Sequence, residues 1–338
     1  MLFISTQATK SPLFDYWGRI ISQIAPQGNA SPVNFHHPRI TCCEALRTEA
    51  QVASQTGPQH PDILLGAPAT RRRLSQNHGS YLPGQIYTTR LQKGGALVDD
   101  MRQLLMVWDG RRDCTERVIN ENPLASPSRR RLRDVVNRTF VPRFVRSRPA
   151  NLWKAMAELE NLDWPQGSLL PIHYYAAAAS EPLLWDFVTQ ELFERYHGGR
   201  HDVSTSDVIR FIDRSPEAKF PGGRWSETVS LKVARGLLAA LRDFGLLAGA
   251  SKKSLAAIYL PTESFAFISL IRHQLGVKGQ KVLSDDCWRL FLFSDTAIER
   301  SFVEAQQRGY LQYHAAGSIV RIEYPTNDLV EYARVLCG

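Results

Sequence analysis

From Tyr87 onward, apolar residues return at helical spacing. Leu91, Leu97, Met101, Leu104, Leu105 and Trp108 mark one helical face, with Gly110 beyond its end. Cys114 to Asn122 reads as a shorter helix stopped by Pro123. Ser126 and Pro127 form a cap and a first-turn proline for a helix whose stripe is Leu132, Val135, Val136 and Phe140. Pro142 is expected to kink or restart that helix, because proline has no N–H to donate. Asn151 to Leu162 turns Leu152, Trp153, Met156 and Leu159 inward. The longer run Glu181 to Tyr196 does the same with Leu184, Phe187, Val188, Leu192 and Phe193, and stops at Gly198-Gly199. Residues 85–199 therefore read as an all-helical bundle.

The pattern then changes in a way that occurs twice. Trp225 to Pro261 reads as a capped helix, a glycine stop at Gly245 and two short strands. Phe293 to Pro325 repeats the plan, with its stop at Gly309. Both begin Ser-acid-Thr, at Ser226-Glu227-Thr228 and Ser294-Asp295-Thr296, and both close on a strand ending in proline. Helix, glycine and hairpin form the closing part of a winged helix. With shorter helices ahead of each, Val208 to Asp213 in one and Phe265 to Leu275 and Asp285 to Phe291 in the other, residues 200–261 and 262–338 read as two winged-helix-like units. Asp328 to Leu336 adds a closing helix. The expected fold is mainly α: a helical bundle followed by two winged-helix-like units with small β hairpins.

Residues 1–84 lack sustained periodicity and are rich in Pro, Ser, Gln and His, so a poorly ordered N-terminal extension is expected. His36-His37 and Cys42-Cys43 invite a zinc reading, but adjacent side chains point apart and suit tetrahedral zinc poorly. Five cysteines at irregular spacing exclude a disulfide framework and favour a reducing cytoplasm. No apolar run approaches the roughly 18 residues of a membrane span, and the first ten residues lack the pattern of a secretory leader.

Charge sharpens the functional reading. The chain carries 41 Lys and Arg against 33 Asp and Glu, a net charge of +8. Most of this excess lies in Ser126 to Pro149, where Arg129, Arg130, Arg131, Arg133, Arg138, Arg143, Arg146 and Arg148 stand against one acid, Asp134. A solvated helix face ordinarily interleaves acids for i, i+4 pairs, and here they are nearly absent. Clustered arginine is the electrostatic footprint of a nucleic-acid binder. In the first winged unit, Arg224, Ser226, Thr228, Lys232 and Arg235 lie at or near the N-terminal half of the third helix, where recognition helices meet DNA. Lys252 and Lys253 fall at its expected wing tip. The third helix of the second unit mixes Glu299 and Glu304 with Arg300 and Arg308, a face suited as well to protein docking.

Catalytic patterns are missing. Gly276 to Lys281 lacks the Gly-Lys-Ser/Thr end of a phosphate loop, and no G-x-G-x-x-G, G-x-S-x-G, H-E-x-x-H or paired C-x-x-C occurs. His173 beside Tyr174 and Tyr175 reads as a packed aromatic cluster. Asp207 with Glu217-Ala218-Lys219 loosely matches a nuclease triad, but in helix and loop rather than on strands. No catalytic residue, cofactor, metal or small-molecule substrate is expected.

Several strings occur in an order that resembles the BrxA family of BREX bacteriophage-defence systems. They are Tyr87-Thr88-Thr89-Arg90-Leu91-Gln92-Lys93-Gly94-Gly95-Ala96-Leu97, Arg131-Leu132-Arg133 leading to Phe140-Val141-Pro142-Arg143-Phe144, Leu152-Trp153, His173-Tyr174, Trp225-Ser226-Glu227 and Arg242-Asp243-Phe244-Gly245-Leu246. The resemblance spans about residues 85–337. It implies a non-enzymatic accessory protein that binds double-stranded DNA and works with other BREX proteins. It also implies a helical part similar to a transcription-antitermination factor, which keeps open an RNA-binding or transcription-complex role. A protein adaptor whose arginines meet an acidic partner is the third reading.

Overall fold

The structure is a computed structural model that describes residues 85–338, apart from Gly94, Asn151, Ala257 and Ile258 and the side chain of Lys93. The readings placed on residues 1–84, including the His and Cys pairs, lie outside the described residues. The architecture is mainly helical with small antiparallel strand pairs.

The first helical face resolves into two pieces. Arg90–Lys93 is a single 3₁₀ turn, and α1 begins only at Val98 and runs to Val107. Close packing explains the break. A Cβ on Gly95 would stand 2.2 Å from Asp243 Oδ2, and the Ala96 N–H donates to that same carboxylate at 3.2 Å. Leu97 then turns through the left-handed region at φ 52°, which residues other than glycine seldom adopt.

α2 spans Cys114–Glu121. α3 starts at Arg129, and its N-cap is Ser128, whose hydroxyl accepts from the Arg131 N–H, in place of the expected Ser126. Ser126 is held instead by Asn122, which both donates to it and accepts from it. α3 runs to Val135 and passes without interruption into a wider π-helical stretch, Val136–Val145. Pro142 lies inside that stretch, so the expected kink is replaced by a change in helical pitch.

α4 is Leu152–Asn161 and α5 is Gln166–Ser180. α6 is continuous through Pro182–Asp186, a second wide stretch Phe187–Leu192, and Phe193–His197. α5 is buried almost all round: His173, Tyr174, Tyr175 and Ala176 to Ala178 are each at most 2% exposed. His173 Nε2 meets Glu160 Oε1 at 3.1 Å, and its ring packs edge-on against Phe144.

Two short strand sets follow. β1 (Asp202–Val203) leads into α7 (Thr205–Arg214), then α8 (Glu227–Asp243), β2 (Leu247–Ala248) and β3 (Lys253–Leu255). The sheet order is β1-β3-β2, with Asp202 opposite Ser254 and Leu247 opposite Leu255. α9 (Thr262–Gln274), a 3₁₀ segment Asp286–Phe291, and α10 (Asp295–Gln307) precede a two-stranded hairpin of β4 (Gln312–Ala316) and β5 (Ile319–Glu323). α11 (Leu329–Cys337) returns to pack on α4, where Arg334 Nε donates to Glu158 Oε1 at 2.7 Å. One contiguous apolar core runs from Tyr87 to Leu336.

α8 packs directly on the Arg90–Lys93 turn, and the fit depends on Gly236. A Cβ there would lie 1.9 Å from the Leu91 carbonyl oxygen. Alanine is intrinsically the better helix former by about 1 kcal/mol. Even so, Gly236→Ala is expected to lower stability by about 1–3 kcal/mol, because backbone rather than a side-chain tip must move. A thermal melt decides this, and an unchanged or raised midpoint would contradict it.

The start of α7 is a capping box. Asp207 N–H donates to Ser204 Oγ, while Ser204 N–H and Oγ–H donate to Asp207 Oδ2 at 2.8 and 2.6 Å. Arg195 Nη2 donates to Oδ1 at 2.6 Å, and Arg210 joins the same oxygen. Burial works against the charged carboxylate, but the Ser204 and Arg195 donors outweigh it and hold Asp207 at about 2. A depressed carboxylate stabilises the fold above its unfolded pKa and loses that contribution as pH falls through the folded one. Asp207→Asn is thus expected to cost about 2 kcal/mol near neutral pH. The gap to the parent protein should close between the ordinary value of 3.8 and about 2. Denaturant melts across pH test this, and a pH-independent gap would refute it.

Candidate nucleic-acid interface

α3 concentrates its charge in a short length. Arg129, Arg130, Arg131 and Arg133 are all exposed, and among the described residues none forms an ion pair. They occupy about 6 Å of helix rise, so they repel one another, and the carboxylate of Asp100 near Arg131 offsets only part of that repulsion. The helix is held from below by Leu132, Val135 and Val136, which are buried. Arg138, on the following turn, is exposed and lies 3.9 Å from Asp134, a loose pair. Arg146 and Arg148 are also exposed.

Arg143 departs from the expected surface role. It is only 4% exposed, and its Nη1 donates to the Ala96 carbonyl at 2.6 Å. The sequence carried a signal for this: position 143 follows Val136 and Phe140 by seven and three residues, which is the inward stripe. Burial pulls its guanidinium down to about 10, opposed by Glu181 and reinforced by Arg90, so it stays cationic near neutral pH. Glu181 is buried too, and its carboxylate accepts from Thr88 at 2.9 Å and pairs with Arg90 Nε at 3.0 Å. Sequence reasoning did not single out Arg90 or Glu181 as site residues, because only the fold brings them to Arg143.

The second group of predicted residues sits on α8. Ser226 is the N-cap, accepting from the Val229 N–H, and Thr228, Lys232 and Arg235 are exposed. Arg224 is committed elsewhere. Its Nε donates to Glu217, its Nη1 to the Ile212 carbonyl and its Nη2 to the Ser215 carbonyl, which closes the end of α7. Those donors are not available to a partner in this arrangement. Lys252 is exposed in the turn between β2 and β3, whereas Lys253 Nζ donates to the Ala250 carbonyl. The Ala96 carbonyl accepts from Arg143, and the Ala96 N–H donates to Asp243 at the C-terminal end of α8.

The nuclease-like trio is not assembled. Asp207 is spent on Arg195, Glu217 on Arg224, and Lys219 on Asp186 at 3.0 Å. Among the described residues, no three His, Cys, Asp or Glu side chains form a metal-ligand cluster, and no helix is long and apolar enough to cross a membrane.

A mainly helical chain with an arginine-rich helix over a single core defines the class of protein. The BrxA family pattern matches residues 85–271, and the chain belongs to the BrxA family, which places it among BREX phage-defence proteins. No curated protein matches the chain at a significant level. Among solved structures, an uncharacterized protein from Magnetospirillum magneticum is 16% identical, with 61% of this chain and 99% of that chain covered and a TM-score of 0.47. A crystal structure of SspB is 11% identical over 76% of this chain and 86% of that one, with a TM-score of 0.40. Its magnesium-bound form is 12% identical over the same shares, with a TM-score of 0.45.

Proposed function

We propose that this protein is a non-enzymatic accessory component of a BREX-type defence system that binds double-stranded DNA, chiefly through phosphate contacts. The observation that carries this reading is the row of four exposed arginines on α3, none of which forms an ion pair among the described residues. Four like charges within one helical turn destabilise the isolated surface, and a polyanion relieves them. The order of helix, strand, two helices and hairpin across α6 to β3, with β1 on the outer edge of the hairpin, supports a winged-helix reading of that region. On that reading Lys232, Arg235 and Lys252 add contacts while α8 orients the protein on the duplex.

Electrostatic binding releases condensed counterions, so affinity falls as a power of salt concentration. Fluorescence anisotropy with a labelled duplex over a salt series tests the proposal. A steep loss of affinity with little dependence on sequence is the expected result. A flat response, or no binding at low salt, would overturn it. Protein partners within the defence system are a compatible second role, supported by Val303 on α10 and Ile319 on β5, both exposed apolar residues. Co-purification of a second defence protein that survives nuclease treatment would establish that role.

A further inference from the structure

Between α3 and the segment Arg90 to Leu97 lies a cavity of about 310 Å³. Its lining carries Arg90, Arg130, Arg131, Arg138 and Arg143 against Asp134 and Glu181, so five cations face two carboxylates, an excess of three. Leu91, Leu97 and Val135 supply apolar wall. Arg143, which lines this cavity, is 4% exposed, and among the described residues its Nε–H has no acceptor and no carboxylate lies within ion-pair distance of it. Glu181, the nearest candidate, is already engaged by Arg90 and Thr88.

A buried N–H without an acceptor costs about 1–3 kcal/mol, and more on a charged group. A water molecule could accept that hydrogen bond but would add no negative charge beyond that of Glu181, which Arg90 already shares. An anion in the cavity answers both deficits. Size and lining point further than inorganic phosphate alone, since the space is at the lower end of pockets that hold small organic ligands and part of its wall is apolar. Arg143 is buried, which sets it apart from the exposed arginines that a duplex backbone would meet. We propose that this cavity binds a small phosphorylated organic molecule of mononucleotide size, with the phosphate toward Arg143 and the rim arginines and the apolar part against Leu91, Leu97 and Val135.

The cavity shares Arg130 and Arg131 with the exposed row, but occupancy does not depend on duplex binding. The test is isothermal titration of the full chain with adenosine 5′-monophosphate, inorganic phosphate and adenosine, with duplex binding measured alongside. The monophosphate is expected to bind, inorganic phosphate at least tenfold more weakly, and adenosine not at all. Thr139 lines the cavity and is only partly exposed, so Thr139→Trp fills the space without removing a charge. It should weaken the monophosphate at least tenfold while circular dichroism and duplex affinity hold. Arg143→Lys, which keeps the charge but loses the guanidinium, should weaken it by a similar factor. No monophosphate binding, or binding unmoved by Thr139→Trp, would overturn the cavity proposal and leave the duplex proposal standing. Equal binding of inorganic phosphate would overturn the role given to the apolar wall. Loss of duplex binding with retained monophosphate binding would separate the two in the other direction.

Discussion

Replacing Arg129, Arg130, Arg131 and Arg133 together by glutamine is expected to weaken duplex binding on the order of a hundredfold at moderate salt, about 0.7 kcal/mol per lost contact. The same variant should lose about three to four units of the slope of log affinity against log salt, because each neutralised phosphate contributes about 0.9. The fold should be untouched. All four side chains are exposed, and α3 is anchored by Leu132, Val135 and Val136 beneath them. Removing mutually repelling charges should leave the melting temperature the same or slightly higher. The loss should also be uniform across duplex sequences, since phosphate contacts position a protein without reading bases. A folded variant with unchanged affinity and slope would move the contact surface away from α3.

The largest stability effect is expected at Arg272. Its Nε and Nη2 donate to the two oxygens of Asp285 at 2.6 and 2.8 Å, with side chains only 1% and 2% exposed. The same carboxylate accepts from the Cys287 N–H and so starts the Asp286–Phe291 segment, and the guanidinium lies 5.9 Å from the Trp185 ring. Removing one member of a buried pair leaves the other charged and desolvated, which costs about 3–5 kcal/mol. For a domain of this size, Arg272→Met should lower the melting temperature by about 10 °C. Adding Asp285→Leu to that variant should recover at least half of the loss, because two apolar groups no longer strand a charge. If the double variant melts no higher than Arg272→Met, the pair is not the source of the effect.

The sequence made the helices legible where one face was apolar and the other wet. α8 and α10 have that pattern, and their Ser caps and glycine stops marked both ends within about two residues. α5 has no such stripe, since it is buried almost all round and contains Pro171, so periodicity had nothing to register. The wide π-helical turns of Val136–Val145 and Phe187–Leu192 have no sequence signature that distinguishes them from α-helix. Of the candidate site, the exposed row was readable from charge alone, because four arginines beside a single acid, Asp134, have few uses inside a protein. Arg143 was visible as inward by spacing, yet its identity as a cation pointed outward. What it meets in the cavity depends on Arg90 and Glu181, which lie 53 residues before it and 38 after. Arg224 illustrates a different limit: the carbonyls that occupy it belong to the end of α7, and carbonyls have no residue identity to read.

The return of α11 onto α4 bears on how the chain is made. Glu158 and Arg334 are 176 residues apart, whereas α1, which also packs on α4, is made before it. A ribosome adding roughly 5–20 residues each second needs on the order of ten seconds or more to supply α11 after α4 has emerged. Through that interval the part of α4 that α11 covers is open to chaperones, proteases and other nascent chains. The cover of that part of α4 therefore waits on the synthesis of α11.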